Sequence, residues 1–416
     1  MKSIFTKSEK SWILYDVGNS AFILMVSTLI PIYFNYLCTQ AEVSDVTYLA
    51  YWGYAASITT IIVAFAGPVL GTFADTKNFK KPMFTVCLLV GVLGCITLGI
   101  YTSWVMFLVI YIITKTAYSC SLILYDSMIH DVTDNERVDI VSAQGYGWGY
   151  IGSCIPFALS LLIVLKGEEL GFSYHQSMVI SFIITGLWWA FVSAPLLKNY
   201  QQINYVECKT NSVKVCFSRL ADTLKNLKNE RSITLFLLSY FFYIDGVYTI
   251  IEMATAYGET LGLDTTGLLL ALLVTQIVAF PSSLVFGKLA EKVFDGTLIM
   301  ICIAAYSGIA VFAIFMSSQL HFWILAICVG MFQGGIQALS RSYFAKIIPK
   351  EKSGEYFGLM DICGKGASFL GTFLVGLVSQ LTGNANLGVA VLAILFVLGG
   401  ILFYASLFQN ILFTEQ

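Results

Sequence analysis

Twelve blocks of apolar residues, each about 20 long, divide this chain. A helix needs that length to cross the ~30 Å hydrocarbon layer of a bilayer. The blocks run over residues 12–38, 48–74, 82–101, 104–125, 142–165, 177–197, 234–253, 266–286, 297–316, 322–340, 358–381 and 387–408. In lipid every backbone polar group needs a partner within the structure, so the blocks are expected to be helices. The strands of a barrel would be shorter and would alternate apolar with polar. Only 12% of the 416 residues are charged, against roughly 25% in a soluble domain. That is too little charge to cover a soluble surface, so an all-α polytopic membrane protein of twelve spans is predicted.

The basic residues set the orientation. With the N-terminus on one side, 20 of the 23 Lys and Arg residues fall on that side, from Lys2 to Lys352. Lys166 alone falls opposite, and Lys115 and Lys365 lie inside spans. One missed span would invert everything after it, so this asymmetry supports the count of twelve. The positive-inside rule then puts both termini in the cytoplasm. The polar stretch Met1 to Lys10 leads straight into the first span without a short apolar core or a cleavage site, so no removed signal peptide is expected. The ten cysteines are scattered with no C-x-x-C pair, and the three histidines are far apart, so neither a disulfide framework nor a metal site is predicted.

The longest polar loop, 198–232, divides the chain into an N-terminal bundle (1–197) and a C-terminal bundle (233–416). Within the loop Val213, Phe217, Leu220, Leu224 and Leu227 recur at helical spacing. An amphipathic linker helix on the cytoplasmic face is expected there, with a lipid-sensing role as the alternative.

The two bundles echo each other. Gly71-Thr-Phe-Ala-Asp75 ends span 2, and Gly287-Lys-Leu-Ala-Glu291 ends span 8. Asp16 follows Leu14-Tyr15 in span 1, and Asp245 follows Tyr243-Ile244 in span 7. Span 5 opens Ser142-Ala-Gln-Gly145-Tyr-Gly147, and span 11 carries Asp361-Ile-Cys-Gly364-Lys-Gly366. Six spans per half make the repeat parallel, the arrangement of major facilitator transporters, with a solute site near the midplane between halves.

Sequence motifs support this. Gly71-Thr-Phe-Ala-Asp75-Thr-Lys77-Asn-Phe-Lys80-Lys81-Pro82 resembles the major facilitator loop signature, with Asn78 where the family has glycine. The resemblance implies a gating latch built from Gly71, Asp75, Lys80 and Lys81. Three further segments resemble the vacuole-effluxer-like branch of that superfamily. They are Trp12-Ile-Leu-Tyr-Asp16-Val-Gly-Asn19-Ser20-Ala-Phe, then Tyr243-Ile-Asp245-Gly246-Val-Tyr, then Gly334-Gly-Ile-Gln337-Ala-Leu-Ser340-Arg341-Ser-Tyr-Phe-Ala with Glu355-Tyr-Phe-Gly358 after it. This branch includes fungal vacuolar amino-acid effluxers and bacterial relatives. The resemblance implies solute efflux or exchange by a compact, bacterial-type member in the plasma membrane.

Ionisable groups within spans are costly and mark solute or ion pathways. Asp245 is the first candidate, as a proton carrier or an anchor for a solute ammonium; the alternative is a structural carboxylate satisfied by Tyr240, Tyr243 or Tyr248. Asp16, nearer the cytoplasmic end, caps a helix or binds a gate residue, with Asn19 one turn on. Lys115 is expected to pair with Asp16 or Asp245, or with a solute carboxylate, and a site of both signs would suit a zwitterion. Gln333 and Gln337 share a helix face, which Gln276 could join, as interhelical glue or as ligand contacts. Asp361 and Lys365, four apart, are expected to pair along their helix. Glu252 lies near the outer mouth, where water removes most of its cost. Arg341 is assigned to a second latch with Glu291.

Other chemistry is excluded by pattern. Gly147-Trp-Gly149-Tyr-Ile-Gly152 spells G-x-G-x-x-G inside an apolar span with no preceding strand, so its glycines serve helix packing rather than a dinucleotide. No P-loop, H-E-x-x-H or G-x-S-x-G occurs, so no enzyme and no cofactor are expected. The predicted partners are a small-molecule solute, protons as a candidate coupling ion, and the lipid bilayer. Nucleic acid is not among them, and a monomer is expected. Two other functions stay open: an exporter of amphiphiles such as lipids or drugs, and a non-transporting scaffold or receptor.

Overall fold

The structure is a computed structural model that describes residues 5–207, 213–260 and 262–414. Among these the chain forms fifteen α-helices and one short 3-10 turn, Lys350–Lys352. In order the helices are α1 (Lys7–Val26), α2 (Leu29–Gln40), α3 (Asp45–Ala74), α4 (Lys80–Thr97), α5 (Trp104–Ser127), α6 (Ile129–Val132), α7 (Val138–Lys166) and α8 (Tyr174–Asn199). They continue as α9 (Val213–Asn226), α10 (Arg231–Thr260), α11 (Thr265–Leu289), α12 (Asp295–Ile314), α13 (Gln319–Ile347), α14 (Ser353–Thr382) and α15 (Ala385–Thr414).

Eleven helical stretches are long and apolar enough to cross a bilayer by length and composition among the described residues. The twelfth span lies in the 30-residue α14, whose Leu370–Thr382 end is apolar. Helices α1 and α2 form one broken span: Ser27 and Thr28 turn their hydroxyls back onto the carbonyls of Ile23 and Leu24, four residues earlier. Large apolar side chains cover the outside, as at Phe65 (77% exposed) and Phe191 (74%). Water would penalise that surface, whereas lipid does not.

Helices α1, α4, α5, α7 and α8 pack among themselves, and so do α10, α12, α14 and α15, with α13 on α11 and α12. With α3 on α5 in the first set, the two sets meet along α3–α14, α5–α14, α7–α11 and α7–α13. These seams depend on bare backbone. A Cβ on Gly71 would stand 2.0 Å from the Gly354 carbonyl oxygen, and one on Gly358 would stand 2.7 Å from Pro68 Cα.

The linker is bonded to the ends of the spans. Asp131 accepts hydrogen bonds from the Tyr200 hydroxyl (2.5 Å) and from the amides of Ile203 (3.0 Å) and Asn204 (2.7 Å). Gln202 donates to the carbonyls of Ala74 and Thr76. Helix α9 buries Cys216 and Thr223 and leaves Phe217 and Leu224 exposed. Phe217 and Leu224 of the stripe picked out by spacing therefore face outward, whereas Leu220 and Leu227 are half-buried and Leu227 packs on the core. Thr223, on the face of Cys216 and Leu227, receives a hydrogen bond from Lys352 (3.3 Å) beside α14. The side chain of Val213 lies outside the described residues.

Candidate functional site

The glycine-to-aspartate motif at the end of α3 works as a cap on another helix. Residue Lys352, which precedes α14, makes no side-chain cap bond, so the first amides of α14 need an outside acceptor. Asp75 supplies it: Gly354 N–H donates to Oδ1 (2.8 Å) and Glu355 N–H to Oδ2 (2.9 Å). A carboxylate at a helix N-terminus is also favoured by the helix dipole. Burial pushes the Asp75 carboxyl up from its ordinary value, opposed by Lys80 and by these two amides, with Arg219 of α9 adding positive potential. Lys80 is fully buried, with Nζ 3.6 Å from Asp75 and 3.7 Å from Asp131. It donates to Ser353 Oγ (3.0 Å) and to the Ser127 carbonyl (3.3 Å). Lys81 instead donates to the Tyr200 carbonyl (3.3 Å), just past the end of α8.

Arg341 ties a second cluster. Its Nη2 donates to Asp16 Oδ2 (3.1 Å), its Nη1 to Asp126 Oδ1 (3.0 Å), and its Nε to Ser142 Oγ (2.9 Å). The guanidinium lies 4.5 Å from the Trp12 ring centroid and 4.2 Å from that of Tyr146. A planar cation suits such a box of rings and carboxylates. Asn19 supports Asp16 from one turn away, donating to the Tyr15 carbonyl (2.9 Å) and to Asp16 Oδ1 (3.4 Å).

The expected pairing of Arg341 with Glu291 is not formed. Glu291 lies past the end of α11, exposed, where its field acts on Arg137. Helix α11 ends at Leu289, so the acid falls beyond the helix rather than against a neighbouring helix start. The ion pair near this seam belongs to Lys346, which bonds Asp139 of α7 and Asp295 of α12 (3.0 Å). Gly287 still gives close approach, since a Cβ there would stand 2.5 Å from the Ala143 side chain.

Asp245 is fully buried, and none of the expected tyrosines satisfies it. Oδ1 accepts from Gly371 N–H (2.9 Å) and Thr249 Oγ1 (3.3 Å), while Oδ2 has no partner. Tyr243 bonds Ser340 (2.7 Å), and Tyr248 engages Tyr240. Lys115 pairs with neither Asp16 nor Asp245, whose partners are those just named. It sits 4.9 Å from the centroid of the Tyr118 ring, and its charge acts on Glu252 across the space between the two sets of helices. Lys115 lies more than two turns of α5 from Asp126, toward the opposite end of the spans from Arg341, which puts Asp16 out of reach. Gln337 accepts from the Tyr150 hydroxyl (2.8 Å), joining α13 to α7. Gln333 and Gln276 instead line a cavity of 280 Å³ within the second set of helices, with Thr249 at its wall. The side chain of Lys365 lies outside the described residues, so its pairing with Asp361 does too.

Exposure falls steadily along the seam. Glu252 is exposed, the Asp126 side chain is 26% exposed, Asp16 8% and Arg341 3%. The seam is thus open to solvent from one end and closed at the basic end. Sequence reasoning did not rank Asp126 because it sits at the end of its span, where a carboxylate is unremarkable. Tyr118 and Tyr146 are not singled out by sequence, since aromatics at helical spacing read as core, and Tyr240 and Tyr248 are expected only as partners of Asp245. Lys346 enters the sequence reading only as one of the basic residues on the cytoplasmic side, and Asp139 and Asp295 are not singled out.

Comparisons with known proteins agree with this geometry. Residues 6–410 match the family described as vacuole effluxer Atg22 like. An uncharacterised MFS-type transporter, YxiO of Bacillus subtilis, is 42% identical over 404 residues, covering 96% of this chain and 94% of that protein. Autophagy-related protein 22 of Eremothecium gossypii is 24% identical over 382 residues, covering 82% of this chain and 73% of that protein. Among solved structures, the major facilitator transporter FucP in its outward conformation superposes with a TM-score of 0.70 at 15% identity, over 96% of this chain and 97% of that one. A bacterial homologue of the iron transporter ferroportin in an outward-facing state gives 0.68 at 14% identity, over 96% and 98%. This chain belongs to the vacuole effluxer Atg22-like family and is a major facilitator-type membrane transporter, not an enzyme.

Proposed function

We propose that the chain is a secondary active transporter of a small, amino-acid-like solute. Two six-helix halves, 1–197 and 233–416 joined by the linker 198–232, would rock about a site between them. The observation that carries this reading is the one-ended seam: wet at Glu252 and Asp126, dry at Arg341, and tied shut there by Asp75 and Arg341. Alternating access requires such a state and its inverse. The positive-inside rule assigns the closed end and both termini to the cytoplasm, making this the outward-facing state. The Bacillus relative supports a bacterial plasma membrane, and a monomer is the working unit.

Protons are the coupling ion in this reading, with Asp245 as carrier. Its Oδ2 is buried without a hydrogen-bond partner, and no cation among the described residues pairs with it, the setting of a lone functional carboxyl within a span. Asp16, by contrast, is held by Arg341 as part of the gate. Asp75, Gly71, Lys80, Lys81 and Arg341 form the remainder of the gate.

Counterflow in proteoliposomes tests cargo before coupling, because it needs no driving force. Vesicles preloaded with single amino acids, peptides or organic ions should accumulate labelled tracer with one amino-acid class. Asp245→Asn should keep counterflow and lose pH-driven uptake; intact pH-driven flux in that variant refutes the carrier role. One observation favours export of amphiphiles instead. The 280 Å³ cavity is walled largely by apolar groups such as Met253, Phe322, Leu325 and Val389. Silence across the amino-acid panel together with flux of a lipid or dye would favour that reading.

A further inference from the structure

We propose that Asp126 recognises a protonated amine on the transported solute, and that the amine loosens the closed end by competing with Arg341 for this carboxylate. The inference rests on the transporter reading, though not on the cargo being an amino acid. Asp126 ends α5, and its one hydrogen-bonded oxygen, Oδ1, is held by Arg341. Its side chain is 26% exposed while its cation partner is 3% exposed, so the carboxylate is the member of the pair that solutes in the seam can reach.

The surroundings of Asp126 come from both sets of helices. Its charge acts on Tyr146 of α7, on Tyr240 and Tyr248 of α10, and on Asp361 of α14. Tyr146 and Tyr248 are each part exposed. A ring face near a carboxylate favours an ammonium, because ring faces carry negative potential. Arg341 already stacks a cation on Tyr146 at 4.2 Å. The local charge points the same way. One guanidinium serves two carboxylates, Asp16 and Asp126, so among the described residues that hydrogen-bond within this cluster acids outnumber cations. A half-buried carboxylate that shares its cation with a second acid gains from a further cation.

Recognition then bears on the gate. Arg341 belongs to α13, and its partners lie on α1, α5 and α7 in the other set of helices. An ammonium on Asp126 takes one of these ties and leaves those to Asp16 and Ser142. When the basic end opens and Arg341 withdraws, Asp126 is fully available to the amine. The amine therefore binds the open state more tightly, and that difference is what shifts the equilibrium toward opening.

Thermal unfolding of the full-length protein in detergent tests recognition, with phenethylamine, N-acetylphenethylamine and phenylacetate as probes. Hydrogen exchange at 342–355 reads the gate, and counterflow with phenylalanine and N-acetylphenylalanine reads transport. Phenethylamine should raise the Tm of the native protein and speed exchange at 342–355, while its acetylated form and phenylacetate do neither. Asp126→Asn should need at least ~10-fold more amine for the same shift, and Asp126→Glu should recover part of it. A purely structural Asp126 would lower the basal Tm and leave the amine concentration dependence unchanged, overturning the proposal. Should Asp126→Asn not fold, Tyr248→Leu removes a ring without removing charge and should weaken the amine response. No response to phenethylamine, or an equal response to its acetylated form, overturns the proposal. Equal counterflow by phenylalanine and its N-acetyl form would also overturn it, while leaving transport standing. An Asp126-dependent amine response without counterflow of any amino acid in the panel would sustain it and remove the amino-acid reading.

Discussion

Asp16 and Asp245 occupy matching places in the two halves of the sequence and lead different lives in the fold. Each faces a glycine of a packed helix: a Cβ on Gly145 would stand 2.4 Å from Asp16 Oδ2, and one on Gly371 would stand 2.5 Å from Asp245 Oδ1. Each has a tyrosine nearby that bonds a serine of another helix, Tyr15 to Ser121 (2.6 Å) and Tyr243 to Ser340 (2.7 Å). The difference is one cation. Arg341, next to Ser340, reaches across the seam to Asp16, while Asp245 keeps an oxygen with no partner. A repeat can thus preserve helix packing while assigning one acid to a tie between halves and leaving one oxygen of its mate without a hydrogen-bond partner.

The largest effect should come from removing that cation. Arg341→Ala strands two carboxylates in a buried place, and breaking a buried pair from one side costs about 3–5 kcal/mol. The Tm should fall accordingly, and hydrogen exchange should rise in α13 and at the start of α14; no change would show that Arg341 is not a tie. Asp16→Asn leaves Arg341 with Asp126 and Ser142, so the loss should be about 1.5–3 kcal/mol, the range for a hydrogen bond to a charged group. Gly145→Ala and Gly371→Ala should each cost about 1–3 kcal/mol by overpacking. Only Gly371→Ala should also displace Asp245 and impair pH-driven uptake beyond its stability loss. The smallest stability change is expected for Asp245→Asn, about 0.5–1 kcal/mol in urea or thermal unfolding, since no cation is left behind. A loss as large as that of Arg341→Ala would mean that Asp245 is structural.

Much of this molecule is legible along the chain. The Gly71–Asp75 segment announces both of its tasks, since glycine permits close helix approach and an acid at a loop suits a helix start. The repeat correctly marks Gly287 as its mate, yet the same symmetry misleads at Glu291. Helix α11 stops two residues before the acid, and Lys346 with Asp139 and Asp295 forms the ion pair at that seam. The linker shows a related limit. Helical spacing marks one apolar stripe on α9, but not which of its members dock; Phe217 and Leu224 face out, while Leu227 packs on the core beside Thr223, which Lys352 bonds.

What the sequence determined by itself is whatever follows from local chemistry and periodicity. Apolar blocks of bilayer length must be helices, and loops crowded with lysine and arginine must share a side. Only the tertiary structure decided the partners of the buried charges. Arg341 meets Asp16, Asp126 and Ser142 from 325, 215 and 199 positions away. A buried ion must find its counter-ion in space, and no spacing rule reports which of several candidate acids the packed helices will bring within 3 Å.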